Sequence, residues 1–112
     1  MILKSVESVP NEPVDMEGAK DVRVRWLIAE KDGAPTFAMR LYEVDPGGHT
    51  PHHAHGFEHE VFVVEGTGTV VGADGERPFK AGDVIFVPPD EMHQFRNTSD
   101  AVCKFLCMIP NP

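Results

Sequence analysis

Closely spaced turn signals divide this chain into short segments, and they constrain its fold more than any other feature. Glycine, proline, asparagine and aspartate recur between the segments in combinations that tolerate a positive φ or fix a turn. No stretch longer than a turn or two has helical periodicity. The pattern predicts strands over residues 22–29, 36–44, 60–65, 68–71, 76–79, 83–87, 92–96 and 101–109. Many short strands at this spacing predict an all-β fold, either a sandwich or a closed barrel.

The length of the chain predicts one domain. It has 112 residues, too few for two ordinary domains, and it contains no repeat and no dividing linker. We therefore treat residues 1–112 as a single domain. Residues 1–20 include a polar stretch with two prolines, which fits either an N-terminal arm or an edge strand, and the sequence leaves both possibilities open.

Charge and hydrophobicity disfavour two classes of partner. The formal net charge of −8 would repel nucleic acids and anionic membrane surfaces. The longest apolar runs are a few residues, far short of the roughly 20 that cross a bilayer, and no signal-peptide core is present. We therefore expect a cytoplasmic protein. Cys103 and Cys107 would lie about 13 Å apart on one strand, too far for a disulfide, so both are expected to be free thiols.

Histidine spacing points to a metal site. Five of the six histidines lie between His49 and His59, and the sixth is His93. If His53 and His55 lie on a strand, their rings project to the same face, about 6–7 Å apart at their stems. His59 follows near the start of the next strand, and His93 would close the site if a barrel wall brings it round. A solvated histidine-rich loop is the alternative, and it explains His49 and His52 equally well.

Neutral imidazoles would give such a site a definite chemistry. They suit Mn, Fe, Co, Ni, Cu and Zn, and four of them leave the double positive charge of the ion uncancelled. The remaining coordination positions would then favour anionic or polarised ligands. An octahedral ion with four protein ligands keeps two positions open for a small-molecule substrate or an oxidant.

The first group of histidines resembles a motif of the cupin family, Gly-x5-His-x-His-x(3,4)-Glu-x6-Gly. Gly47 is followed after five residues by His53-Ala54-His55, and Gly66 stands at the final position. His59 occupies the position of the motif's glutamate when the shorter spacing is used. The longer spacing would make Glu60 the ligand but would misplace the glycine, so we favour His59 and expect Glu60 to face away from the metal.

A second segment resembles the other cupin motif, Gly-x5-Pro-x-Gly-x2-His-x3-Asn. Gly82, Pro88, His93 and Asn97 stand at the expected spacings. Asp90 replaces the middle glycine, a mild departure because aspartate tolerates turn geometry. Together the two motifs cover about a third of the chain.

The resemblance implies a double-stranded β-helix, usually a homodimer, with a metal inside the barrel. A ligand set of four histidines is similar to that of small single-domain manganese cupins. Mn(II) is therefore the expected ion, and Fe(II), Ni(II), Cu(II) and Zn(II) are alternatives.

Further side chains are candidates for the wall of the pocket. Lys104 prefers water, so the opposite face of the last strand, which carries Cys103, Phe105, Cys107 and Ile109, should point inward. Trp26 is also expected to face inward. Arg40 could bind a substrate carboxylate, but an ion pair at the surface or at a dimer interface is the favoured interpretation. The pocket candidates are Phe95, Phe105, Cys107, Ile109, Trp26 and Arg40.

The fold alone does not determine a function, because cupins include dioxygenases, isomerases, epimerases, sugar-binding domains and storage proteins. The leading hypothesis is a divalent-metal-dependent oxidoreductase, dioxygenase-like or peroxide-using, that acts on a small organic substrate. One alternative is a metal-dependent isomerase or lyase, which needs a proton-transferring partner such as Glu60, Tyr42 or His52. The other is a non-catalytic module that binds a small molecule or the metal itself.

Overall fold

The computed structural model describes residues 1–112 and confirms the all-β prediction. Nine strands form one curled sheet, in which β6-β5-β8-β3-β9-β4-β7 are successive neighbours and β2 pairs with both β1 and β3. The strands are β1 (Glu12–Pro13), β2 (Lys20–Ile28), β3 (Phe37–His49), β4 (His59–Glu65), β5 (Thr67–Gly72), β6 (Gly75–Lys80), β7 (Val84–Val87), β8 (Gln94–Arg96) and β9 (Cys103–Pro110). Helical structure is confined to two single turns, and neither is long or apolar enough to span a membrane.

The predicted end of a strand at residue 44, set by the turn signal in residues 45–48, is wrong, because β3 runs through this segment as far as His49. Val44 pairs with Val22 and His49 pairs with Lys20, so β3 advances five residues while β2 advances two. The extra residues form a bulge. A Cβ atom at Gly48 would lie 2.6 Å from the carbonyl oxygen of Lys20, so only glycine fits this close approach between the strands.

The core lies on the concave face of the curled sheet. Along β9 every second side chain is buried, as predicted for the face that carries the two cysteines. The buried residues are Cys103, Phe105, Cys107 and Ile109. Phe105 stacks between Phe95 and Tyr42, with ring centroids 4.8 Å and 5.4 Å away. Both cysteines are free thiols, as expected from their spacing.

Part of the N-terminal segment is an edge strand. Glu12 of β1 pairs with Val24 of β2. Two hydrogen bonds hold residues that precede this strand. The Arg25 guanidinium donates to the carbonyl of Val9 at 2.6 Å, and the side-chain amide of Asn11 donates to the carboxylate of Glu43 at 2.9 Å. These contacts attach the segment to the outer face of β2 and β3.

Candidate metal centre

His53 and His93 come from separate parts of the chain and meet through their backbones. The N–H of His53 donates to the carbonyl of His93 at 3.1 Å, and the N–H of His93 donates to the carbonyl of His53 at 2.9 Å. His53 and His55 do not lie on a regular strand, the condition under which their rings would face the same side. β3 ends at His49, and Pro51, which has no N–H to donate, lies in the irregular segment that carries both histidines.

His59 begins β4, as the turn pattern predicted, and its register opposite Val87 of β7 turns its ring into the barrel. It is buried, whereas the neighbouring Glu60 is exposed because successive strand residues face opposite sides. His59 is therefore the one of this pair that approaches the other histidines. Its ring centroid lies 4.5 Å from that of His55 and 5.0 Å from that of His93.

Ring nitrogens of three of these histidines are close enough to share one ion, and the fourth histidine contacts one of the three. One nitrogen each from His53, His55 and His93 lie within 4.8 Å of one another. The Nε2 atoms of His55 and His59 are 2.9 Å apart. Two ligands at right angles around an ion, each about 2.1 Å from it, would be about 3 Å apart. The spacing and the uncharged nitrogen donors therefore fit a divalent transition metal.

Hydrogen bonds orient three of these rings from their other nitrogen. The Nδ1–H of His93 donates to the carbonyl of Glu91 at 2.9 Å, and that of His55 donates to the carbonyl of Phe57 at 3.3 Å. The Nδ1 of His59 lies 3.1 Å from the Sγ atom of Cys107. In His93 and His55 these contacts place the ring proton on Nδ1, so Nε2 is unprotonated and directed toward the shared centre.

The environment keeps the imidazoles of His53, His59 and His93 in the form that binds a metal. Burial, followed by repulsion from Arg40 and from the other histidines, lowers the pKa of His59 to about 3. Burial also lowers the pKa values of His53 and His93. Unprotonated nitrogens are required for ligation, so the site is prepared for a cation at neutral pH.

Arg40 does not form the surface ion pair that was part of the favoured interpretation, and an ion pair at a dimer interface stays a prediction. Arg40 is 7% exposed, and no carboxylate lies within 4.0 Å of its guanidinium. Parity on β3 places it on the interior face, opposite Trp26 of β2 and Cys107 of β9. Its Nη2 atom lies 3.5 Å from the Nδ1 of His59.

The other predicted pocket residues divide into two groups. Cys107 contacts His59, Trp26 contacts Arg40, and the ring of Phe95 lies 6.3 Å from that of His93. Phe105 and Ile109 are core residues, packed between strands rather than against the histidine rings.

Two histidines lie apart from the cluster, and one aromatic residue that the sequence did not indicate, Phe57, contacts it. His49 faces Gln94, with 3.3 Å between its Nδ1 and the amide nitrogen, and His52 is exposed. Phe57 stacks on His55 with a centroid separation of 4.1 Å and an interplanar angle of 6°. Nothing in the spacing predicted that contact, because Phe57 lies in an irregular segment without periodicity.

Comparisons with known proteins agree with this fold. The polyketide cyclase RemF from Streptomyces resistomycificus superposes with a TM-score of 0.95 and 36% identity, covering 100% of this chain and 80% of that one. An oxalate-binding protein of Thermotoga maritima is 30% identical over 97% of this chain and 93% of its own length.

A third relative is longer than this chain. The 1-methylthio-D-xylulose 5-phosphate methylsulfurylase of Rhodospirillum rubrum is 32% identical over 66% of this chain, a match that spans 47% of that enzyme. Residues 40–109 match the Cupin domain family. Because this match covers more than half of the chain and includes all four clustered histidines, the chain belongs to the cupin family.

Proposed function

We propose that this chain holds one divalent transition-metal ion on His53, His55, His59 and His93 and cyclises a polyketide-type substrate. We base the proposed reaction on the similarity to RemF, which extends over the whole chain. The convergence of His53, His55 and His93 supports the metal, with the Nε2 atom of His59 2.9 Å from that of His55 and its ring centroid 5.0 Å from that of His93. In the cyclisation, a methylene flanked by two carbonyls loses a proton, and the resulting carbanion forms a new C–C bond to another carbonyl carbon. The oxygen of that carbonyl takes up a proton, so no oxidant is required.

A divalent ion bound by the four imidazoles would act as a Lewis acid that polarises a substrate carbonyl. Arg40 and Tyr42 are hydrogen-bond donors close to His59. The Tyr42 hydroxyl accepts a hydrogen bond from Arg40 at 2.6 Å, which leaves its own O–H free to donate. Burial raises the pKa of Tyr42, so the phenol stays protonated and can donate to a developing oxyanion.

Of the three residues considered as proton-transferring partners, Tyr42 is the one on the interior face. Its ring stacks on the buried Phe105. Glu60 and His52 are both exposed, and Glu60 points away from the barrel interior. We therefore assign proton delivery to Tyr42.

The test of the proposed function is turnover of a linear poly-β-ketone. Protein purified without added metal is analysed for its metal content and incubated with a triketone, and cyclised product is compared with the spontaneous reaction. We expect faster cyclisation that is lost in His53→Ala, with the exposed His52→Ala as the matched control. Absence of acceleration with every divalent ion bound would contradict the proposal.

A metal-dependent oxidoreductase acting on a small organic molecule is the second candidate. An uncharged ligand set that suits Mn(II) and Fe(II) as well as Zn(II) favours it. Oxygen separates the two candidates, because cyclisation proceeds under anaerobic conditions, whereas a dioxygenase reaction stops. Native zinc with oxygen-independent turnover supports the cyclase, and manganese or iron with oxygen consumption supports the oxidoreductase.

A non-catalytic binding role is favoured by the similarity to the oxalate-binding protein of Thermotoga maritima. Under this alternative the metal-loaded protein binds oxalate, and no substrate turns over in either assay. Calorimetric titration with oxalate, followed by the same triketone assay, distinguishes a carrier from an enzyme.

A further inference from the structure

The guanidinium of Arg40 is a buried cation without an anionic partner. The residue is 7% exposed, and its Nε atom is fully buried with no hydrogen-bond partner. Its remaining contacts are the Tyr42 hydroxyl at 2.6 Å, the Cys107 Sγ atom at 3.1 Å and the His59 Nδ1 atom at 3.5 Å. None of these groups is a carboxylate.

Removing an arginine from water without a counter-ion is costly, so the surrounding residues must offset part of that cost. The charge lies over two aromatic faces, with Cζ 5.3 Å from the ring centroid of Trp26 and 5.0 Å from that of Tyr42. Cation–π contacts offset only part of the lost hydration. By contrast, the outer-face arginines Arg23 and Arg25 each have a carboxylate within 4.0 Å. Arg40 is thus the buried arginine whose charge a ligand could balance.

The two aromatic neighbours of Arg40 are less enclosed than the rest of the interior face. Trp26 and Tyr42 occupy interior positions by strand register, yet both are only partly buried. Deeper interior residues such as Val44 and Phe105 are fully buried. A molecule that reaches these two rings would meet the guanidinium, the Tyr42 hydroxyl and the indole of Trp26, because Phe105 already stacks on the Tyr42 ring.

We propose that Arg40, Tyr42 and Trp26 form a subsite for a carboxylate attached to a planar, conjugated group. The carboxylate would accept hydrogen bonds from the guanidinium and from the Tyr42 hydroxyl, and the planar group would pack on Trp26. The subsite lies next to His59, so the acidic end of the molecule would lie close to the metal centre. The inference goes beyond the proposed function, because the subsite is defined by Arg40, Tyr42 and Trp26 and does not require the metal.

The test uses benzoate as the probe and the fluorescence of Trp26 as the readout. Trp26 is the single tryptophan of the chain, and its ring lies beside the Arg40 guanidinium. The full-length, metal-free protein is titrated at pH 8 with benzoate and with benzamide, its uncharged counterpart. We expect saturable binding of benzoate and at least tenfold weaker binding of benzamide. Equal affinity for the two compounds would overturn the proposal, and this comparison requires no variant.

Arginine variants then test whether Arg40 supplies the positive charge that binds benzoate. Arg40→Met should weaken benzoate binding at least tenfold, and Arg40→Lys should retain part of the affinity. Arg23→Met, on the outer face of β2, is the matched control and should stay within twofold of the unmodified chain. An Arg40→Met protein that is folded by circular dichroism and binds benzoate normally would overturn the subsite.

This experiment separates the two proposals because the titration needs no metal. Loss of triketone cyclisation or of metal binding would contradict the proposed function and leave the benzoate result standing. Failure of benzoate to bind would remove the subsite alone.

Discussion

The Sγ atom of Cys107 lies 3.1 Å from the Nδ1 atom of His59 and is the one close neighbour of that nitrogen that can accept a hydrogen bond. Arg40, at 3.5 Å, can only donate. A metal on Nε2 requires that nitrogen to be unprotonated, so the ring proton must then sit on Nδ1. Cys107 is positioned to accept it.

The metal-free arrangement requires the opposite tautomer. The Nδ1–H of His55 donates to the carbonyl of Phe57, so the Nε2 of His55 is bare and accepts from the Nε2–H of His59 at 2.9 Å. The Nδ1 of His59 is then bare and can accept from the Cys107 thiol. A thiol both donates and accepts, so Cys107 suits both tautomers.

We predict that Cys107→Ala weakens metal binding by about tenfold, because the ring proton of His59 loses its acceptor. Cys107→Ser, which keeps a group that donates and accepts, should retain most of the affinity. Cys103→Ala is the matched control, since Cys103 is equally buried on β9 and does not contact the histidines. Competition with a chromophoric chelator measures all three. Equal losses in Cys103→Ala and Cys107→Ala would show that only packing is involved.

His59→Ala is predicted to reduce metal affinity by more than about 100-fold, because it removes a ligand rather than a supporting contact. Glu60→Ala should leave the affinity unchanged, since its side chain faces solvent. Metal content after dialysis, measured by elemental analysis, gives the answer. Retained metal in the first variant together with loss in the second would assign the ligand to Glu60.

The metal-free protein should lose stability as the pH falls below about 6.5. The folded protein holds the pKa of His59 at about 3, whereas an unfolded histidine titrates near 6.5. Between these values the unfolded chain binds more protons, so the free energy of unfolding decreases toward acid. His59 alone should account for about 2 kcal/mol between pH 7.5 and pH 5.

Urea unfolding at the two pH values checks this dependence. His59→Gln cannot titrate and should show a smaller loss than the unmodified chain. Burial lowers the pKa values of His53 and His93 in the same direction, so part of the dependence should persist in the variant. A metal-free protein whose stability is constant or rises toward pH 5 would contradict the prediction.

Glu43 attaches the N-terminal segment to the sheet, and Glu43→Gln is predicted to cost about 2 kcal/mol of unfolding free energy. Its carboxylate accepts from Asn11 and lies 3.6 Å from Arg25 and 3.8 Å from Arg23. Residues preceding β2 should become more susceptible to limited proteolysis. The exposed pair of Glu76 with Arg96 is the control, and Glu76→Gln should change stability by less than about 1 kcal/mol.

Local patterns predicted those parts of the structure that depend on neighbouring residues. The alternation from Cys103 to Ile109 identifies the buried face of β9, because strand side chains alternate with a period of two. Asp90 stands where the motif has glycine, and it adopts a φ of 69°, in the left-handed region that aspartate tolerates. The extension of β3 through residues 45–48 was not predicted, because the same proline and glycines can serve a turn or a bulge, and pairing with β2 selects the bulge.

The sequence by itself determined the family, the alternating strands and the four histidines that are candidates for one site, because motif spacing and side-chain parity are local properties. Only the tertiary structure decided that Arg40 lies inside the barrel without a carboxylate and that Cys107 lies behind His59. Those environments are created by strands that are distant in the chain, since Arg40 and Cys107 are 67 positions apart. Pairing of β3 with β9 brings them together, and no pattern along a single strand encodes that contact.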